Sequence, residues 1–401
     1  MKLALFSTSP ARAIYPMRFL LSFAQGGLIS PLIPLLRDVF HVSPGEVGLL
    51  TSMAGMSSVV MDVLATYLLS RRPLIRLLLQ GIGLTAIALL CSAMAPGFYW
   101  LIASQMLLGF GISLTRVASL MVVVAATSRQ EQGRANNLLE FSAIAGLTIS
   151  PTISGLTAAL LHWRLAFVLA TVFVSGAFAW VLYAQRSLAQ AMDSAASSQT
   201  PTSGSAPVAC DTSLPRASVW RVGVAYGTTF VLSFVWSGFL STALPLFAGE
   251  VVHLSPSTLG LVLTAGLLCD LLLLLPMGWL ADRLEGRIVL SPALLLMAVT
   301  LAWLPEATTL PALVLVSIGL HTGFAAWGMP SAALALCTPR HRLARVMGIY
   351  RLLVDGAVVI APWCIGTLIH YYGYGLPSWG TAIATAVTAM LVALGLPGAR
   401  R

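Results

Sequence analysis

Twelve apolar runs long enough to cross a bilayer divide this 401-residue chain, and no other feature restricts its fold so strongly. Crossing about 30 Å of hydrocarbon at about 1.5 Å per residue takes roughly 20 helical residues. Runs near that length recur at 19–36, 47–69, 74–93, 98–126, 137–161, 165–183, 222–247, 258–280, 288–304, 310–336, 346–369 and 378–396. In hydrocarbon every backbone N–H and C=O must be paired within the protein, so each run reads as a transmembrane helix. Composition agrees: 58% of residues are hydrophobic and 9% charged, against about 25% charged in an ordinary soluble domain. The expected fold class is an all-α membrane protein with twelve transmembrane helices, numbered here as spans 1 to 12.

Six spans fall on each side of one long interruption rich in Ala, Ser, Thr and Pro, which reads as a flexible linker. The expected domains are an N-terminal six-helix bundle at 1–185, a cytoplasmic linker at 186–217 and a C-terminal six-helix bundle at 218–401. The halves are related by an internal repeat. His41-Val-Ser43-Pro44-Gly-Glu-Val-Gly48 recurs as His253-Leu-Ser255-Pro256-Ser-Thr-Leu-Gly260, and Arg134, Pro151 and Gly155 recur as Arg345, Pro362 and Gly366. The two matches have almost the same offset, so they superpose span 1 on 7, span 2 on 8 and span 5 on 11. Six plus six helices in parallel repeat is a transporter signature, with substrate expected between the halves near the bilayer midplane.

Orientation follows from the basic residues. With the N-terminus inside, eighteen Lys and Arg, Arg18 among them, fall in inner segments and only Arg37 and Arg164 in outer ones. The positive-inside rule then places both termini in the cytoplasm of a cell, expected to be a bacterial, inner membrane. The apolar stretch 3–6 is too short for a signal-peptide core, so span 1 is expected to serve as an uncleaved anchor. A net charge of +9 could suggest nucleic acid, but the basic residues are dispersed singly and in pairs at helix ends, which sets topology rather than builds a phosphate-binding face. Cys91, Cys210, Cys269, Cys337 and Cys364 show no paired spacing, so neither a disulfide framework nor a metal site is expected. No Gly-x-x-x-x-Gly-Lys loop occurs and Lys2 is the only lysine, which excludes an ATPase in this chain. No cofactor is expected.

The most motif-like string is Gly278-Trp-Leu-Ala-Asp282-Arg283-Leu-Glu-Gly286-Arg287, between spans 8 and 9. It resembles the Gly-x-x-x-Asp-Arg-x-Gly-Arg loop of the major facilitator superfamily of secondary transporters, with one extra residue before Gly286. The equivalent loop after span 2 reads Ala65-Thr-Tyr-Leu-Leu69-Ser70-Arg71-Arg72, with Leu69 where the motif has Asp. Span 4 carries Gln105-x-x-x-Gly109-x-Gly111, with Gln where the family often has Arg. Span 5 reads Gly146-x-x-x-Ser150-Pro151-x-x-Ser154-Gly155, a softened copy of a pattern found in drug and proton antiporters. Span 11 carries Gly348-Ile-Tyr350-Arg351-Leu-Leu-Val-Asp355-Gly356, similar to a string common in bacterial members. The resemblance covers essentially the whole chain. It implies two pseudo-symmetric six-helix bundles working by alternating access, with Gly278, Asp282, Arg283 and Arg287 as a cytoplasmic gating motif. On that reading Gly278 allows close helix approach, and Asp282 lies near the positive end of span 5. The plainer reading is that the loop only sets topology.

Charges inside spans are functional hypotheses by default, because burying them is costly. There are six: Asp62, Arg116, Glu140, Asp270, Arg351 and Asp355. In the family fold spans 2 and 8 meet spans 11 and 5, so Asp62 is expected to look toward Arg351 and Asp355, and Asp270 toward Glu140. Arg351 and Asp355, spaced i, i+4, could equally neutralise each other on one helix. Arg116 reads as a partner of Glu140 or a ligand for an anionic substrate group. Asp270, the deepest carboxylate without an obvious cation, suits a proton carrier, as does Glu140. Gln25, Gln105, Tyr226, Phe230, Trp236, His321, Phe324 and Trp327 are candidates to line a substrate cavity, an aromatic surface with a few polar groups that would suit a mostly apolar organic molecule. Each is open to a packing explanation instead.

The expected function is secondary active transport of a small organic molecule, by proton-coupled efflux, in a chain acting as a monomer within the lipid bilayer. The alternative is proton-linked or facilitated uptake of an organic anion, with Arg116 or Arg351 as carboxylate ligand. From a different class, a multispan enzyme would need a nucleophile or a convergent His and carboxylate site near one face, and none is evident. A membrane sensor would tolerate neutralising all six buried charges.

Overall fold

The computed structural model describes residues 9–25, 30–69, 71–126, 132–198, 216–338 and 340–395, and these contain helices and turns but no strand. Eleven helical segments are long and apolar enough to cross a membrane, and Ile14–Ala24 is a shorter apolar helix. Span 1 is carried by α1 (Ser9–Gln25) and α2 (Ile33–Phe40), with a 3-10 turn at Ser30–Leu32. Spans 2 to 6 are α3 (Pro44–Leu69), α4 (Leu74–Ala93), α5 (Phe98–Ala126), α6 (Gln132–Leu160) and α7 (Trp163–Ser198). Span 7 is α8 (Arg216–Val235), a π-helical segment (Trp236–Ala243) and α9 (Leu244–Glu250). Spans 8 and 9 are α10 (Pro256–Arg283) and α11 (Gly286–Trp303), and span 10 is split into α12 (Leu310–Phe324) and α13 (Met329–Cys337). Spans 11 and 12 are α14 (Arg340–Tyr372) and α15 (Gly375–Gly395).

The last helix shows what solvent this fold is built for. Along α15 the buried positions are Thr381, Ala382, Thr385, Thr388, Ala389 and Val392, whereas Trp379, Ile383, Val387, Met390 and Leu394 are exposed. A helix in water puts its large apolar side chains inside. Here the small and hydroxylated ones are inside and the large ones outside, the arrangement of a helix packed against neighbours in lipid.

Two boundaries differ from those expected. Helix α1 begins at Ser9 and carries Pro16 within it, because Ile14, Tyr15 and Met17 are already buried. Arg18, counted from sequence among the inner basic residues, is therefore inside a span. The second difference is in the linker, which was expected from 186: α7 remains helical through Ser198. Its Ala, Leu, Gln and Met residues are strong helix formers, and Leu188 is fully buried. The rest of the linker, 199–215, lies outside the described residues.

By contacts the chain forms two compact units. One takes its described residues from Met1–Leu32, Met53–Ser205 and Pro256–Gly260; the other from Ile33–Ser52, Ala206–Ser255 and Leu261–Arg401. Each unit thus includes a short piece from the opposite repeat: the second holds the whole string from His41 to Gly48, and the first holds the end of its counterpart, Pro256 to Gly260. His41 and His253 both take the left-handed backbone conformation, with φ of 53° and 54°. That conformation is uncommon for a residue other than glycine and ends a helix sharply.

Within the second unit α3 crosses α14 so tightly that a Cβ on Gly48 would lie 2.2 Å from the Pro362 carbonyl oxygen, and one on Gly366 2.4 Å from that of Pro44. Within the first unit the same crossing is made by the repeat equivalents. A Cβ on Gly260 would lie 2.3 Å from the Pro151 carbonyl oxygen, and one on Gly155 2.1 Å from that of Pro256. Only glycine lets two backbones approach this closely.

Candidate functional site

In the second unit the candidate site is organised by α10, α12 and the π-helical segment. A π-helix spaces its hydrogen bonds one residue wider than an α-helix and is rare outside functional sites. Its register shows in the side chains, since Thr242 donates to the Ser237 carbonyl at 3.1 Å and Ser241 to that of Trp236 at 3.2 Å, both five residues back. At the start of the segment Trp236 meets His321 edge-on at 6.1 Å between centroids and Phe324 at 5.0 Å, and Phe324 stacks on Trp327 at 5.7 Å. Of the aromatic candidates, these three form a chain of contacts that begins at His321. Phe230 instead packs on Phe234. Tyr226 donates to the Val346 carbonyl at 3.0 Å, tying α8 to α14.

His321 is 2% exposed, and its Nδ1 lies 2.8 Å from the Ser317 carbonyl. Gly266 makes room for the ring, since a Cβ there would lie 2.3 Å from Nδ1. Three residues along α10 and one along α12, Cys269 Sγ meets Thr322 Oγ1 at 3.6 Å, fixing the register of α10 on α12. Asp270 stands one turn beyond Gly266. It is 6% exposed, and its Oδ1 is buried with no hydrogen-bond partner among the described residues. A buried carboxylate oxygen left unpaired is rare and costly, so Asp270 stands out chemically in this unit.

In the first unit Asp62 Oδ2 forms an ion pair with Arg116 at 2.7 Å across α3 and α5, and Ser113 donates to its other oxygen. Arg351 in turn pairs with Asp355 at 2.8 Å within α14, the local reading. Whether two residues on different helices meet depends on how the helices are rotated and shifted, which one sequence does not encode. Removing one member of the Asp62 pair strands the other. Asp62→Ala is expected to lower stability by about 1–3 kcal/mol, with much of the loss recovered in Asp62→Ala/Arg116→Leu, as read from thermal midpoints in detergent.

Arg18 is the residue the sequence reading missed. It is 9% exposed in α1, its Nε is buried without a hydrogen-bond partner among the described residues, and Glu140 and Arg116 lie within electrostatic reach of it. The available signal was the apolar pair Ile14 and Tyr15, which starts the span before Arg18 rather than after it. Glu140 itself is exposed. Gln105, expected in a cavity, is 4% exposed and donates to Ser92 Oγ at 3.1 Å, where Ser92 also meets Ser104 at 2.8 Å. That makes it part of the α4 and α5 interface. The side chain of Gln25 lies outside the described residues.

Arg283 lies over the Trp279 ring at 4.1 Å and Arg287 pairs with Glu285. Gly278 does not make the close approach expected of it, since a Cβ there would meet no described atom within 4 Å. It sits between Leu275 and Trp279, both exposed, on an outward face of α10. The Asp282 side chain lies outside the described residues.

The opposite end of the second unit holds a further pair absent from the sequence reading. Arg37 at the end of α2 bonds Glu250 at the end of α9 at 2.9 Å, over a sealed cluster of Ile33, Val47 and Leu246. Tyr374 packs on that cluster and edge-on against Phe247 at 5.0 Å. Burial pushes the Tyr374 hydroxyl above the ordinary phenol range, and the neighbouring Glu250 carboxylate acts in the same direction, so it stays neutral.

The sequence profile of the Major Facilitator Superfamily matches residues 17–237 and 225–401, almost the whole chain. The chain belongs to that superfamily. Solved structures similar to it are those of transporters. A D-xylose–proton symporter aligns over 98% of each chain at 15% identity with a TM-score of 0.75. A peptide transporter in complex with sulfate aligns over 95% of this chain and 93% of its own at 13% identity, also at 0.75. The xylose transporter XylE from E. coli in an inward-open conformation aligns over 99% and 97% at 15% identity, again at 0.75. No curated protein of matching sequence was found. At such identities the likeness establishes the superfamily fold, and the chain is a membrane transporter of that superfamily.

Proposed function

We propose that this superfamily member carries a small organic molecule by alternating access, coupled to protons and working as an exporter. The observation that carries the reading is Asp270, 6% exposed on a membrane-spanning helix with an unpaired oxygen. A carboxylate there is costly when charged and inexpensive when protonated, which is what a group that gains and loses a proton in each cycle needs. Trp236, Phe324 and Trp327, in successive contact from His321, supply the apolar contact surface for the cargo. Proton coupling is supported by the proton symporter among the similar structures. Export is supported by span 5, where Gly146-x-x-x-Ser150-Pro151 resembles the antiporter pattern and Gly146 is pressed against α1, 2.2 Å from the Phe19 carbonyl by the position of a Cβ. The basic helix ends face the cytoplasm, and the loop at Asp282, Arg283 and Arg287 closes that side when the repeats 1–185 and 218–401 rock.

The test uses purified protein in liposomes with an acid interior and a fluorescent pH reporter, adding lipophilic cations, neutral drugs and organic acids in turn. At least one compound is expected to collapse the gradient only when protein is present. If none does while labelled organic acids still equilibrate across the membrane, the export reading is wrong and uptake replaces it.

A further inference from the structure

We infer that Arg18 forms an anion subsite and that the carried molecule bears a carboxylate-like group received there. This deepens the proposed transport reading, although the binding it claims is measurable without transport.

Four charges of the first unit lie within its helices. Counted along their helices from the ends at Ser9, Leu69, Ala126 and Gln132, the residues Arg18, Asp62, Arg116 and Glu140 lie at about 10–15 Å depth, one layer within the bilayer. Arg116 in that layer is neutralised at 2.7 Å by Asp62. In the second unit Arg351 is neutralised at 2.8 Å by Asp355. Both cations named from sequence as carboxylate ligands are therefore already occupied. Arg18 is not: its neighbour Glu140 acts on it through space without forming an ion pair, and its Nε is sealed from solvent with no acceptor. On the same face of α1, one turn either side, stand the buried Tyr15 and Ser22. Ser22, four residues on, places a hydroxyl one turn along the same face.

An unpaired guanidinium held in a low-dielectric bundle costs stability, and residues that cost stability persist where they bind something. The planar fork of Arg matches the two oxygens of a carboxylate. The chemistry that fits is an organic monoanion with an apolar body.

The experiment measures binding of radiolabelled benzoate to full-length protein in detergent by equilibrium dialysis, with unlabelled benzamide and benzylamine as competitors. Arg18→Gln, Arg18→Lys and Asp270→Asn are compared with wild type, and thermal midpoints are recorded for each. Wild type is expected to bind benzoate saturably, with neither benzamide nor benzylamine competing. Arg18→Gln should weaken binding by roughly tenfold to a hundredfold while leaving the thermal midpoint unchanged or higher, because a costly charge has been removed. A structural Arg18 would lower the midpoint instead. Arg18→Lys should retain part of the affinity and Asp270→Asn nearly all of it. Unchanged benzoate affinity in Arg18→Gln, or no benzoate binding in wild type, overturns the inference. If Arg18→Gln does not fold, Arg18→Lys decides, and affinity equal to wild type overturns it. Arg18-dependent binding in a protein that moves no substrate would leave the anion site standing and sink the transport reading.

Discussion

Asp270→Asn is expected to abolish substrate-driven proton movement, by about a hundredfold or more, while leaving exchange of labelled substrate across the membrane intact. Asn has the shape of the protonated acid and cannot release a proton, so the variant is held in one half of the coupling cycle. Exchange of substrate for substrate needs no net proton transfer and should survive. The charged form is what the site tolerates poorly, since Asp270 is 6% exposed and one oxygen has no partner among the described residues. The same substitution should therefore leave the thermal midpoint unchanged or raise it. Proton flux in Asp270→Asn equal to wild type would move the coupling role elsewhere, with Glu140 the next residue to substitute.

Gly48→Val and Gly260→Val are expected to reduce transport by tenfold or more without preventing insertion of the protein. In each case the first added carbon would already lie 2.2 or 2.3 Å from a proline carbonyl oxygen on the facing helix, and a backbone atom cannot swing away as a side chain can. The crossing has to open, at about 1–3 kcal/mol. In the second unit this should loosen the cluster of Ile33, Val47 and Leu246, against which Val42 packs. Val42→Cys in the Gly48→Val background should react faster with a membrane-impermeant maleimide than in the parent. Gly380→Val is the control, because a Cβ there meets nothing within 4 Å, and it should leave both readouts unchanged. Equal labelling rates in the Gly48→Val and parent backgrounds would show that the tight crossing is incidental to the cycle.

The spans were legible because length and hydrophobicity are set by the bilayer itself, and the repeat was legible because the strings ending in Gly48 and Gly260 had been kept. The close crossings made by those glycines give the repeat its physical reason. Interruptions within spans were harder to see. The break after Phe324 had a signal in Gly328 and Pro330, whereas the Ser, Gly and Thr residues of Trp236–Ala243 fit an ordinary helix packed in lipid as well as they fit a wider hydrogen-bond register. Of the candidate site, the individual residues Asp270, His321, Trp236 and Phe324 were identifiable one by one from their types. Trp236, His321 and Phe324 also group from sequence as one cavity lining, whereas the place of Asp270 one turn from the Gly266 that seats His321 does not, nor does the pairing of Asp62 with Arg116, since both depend on the rotation of one helix against another. Arg18 was lost to a boundary error of ten residues, from Phe19 back to Ser9, which shows how much a charge's meaning depends on where its helix starts.

The arrangement of α15 separates two specifications that share one helix in most proteins. Its threonines and alanines face neighbouring helices and define the packing, and Ile383, Val387, Met390 and Leu394 face outward and define only the surrounding medium. The two stripes have no residue in common. The outer stripe can therefore drift, or be redesigned, to suit a thicker bilayer, a different detergent or even water, while the packing that the transport cycle depends on stays as it is.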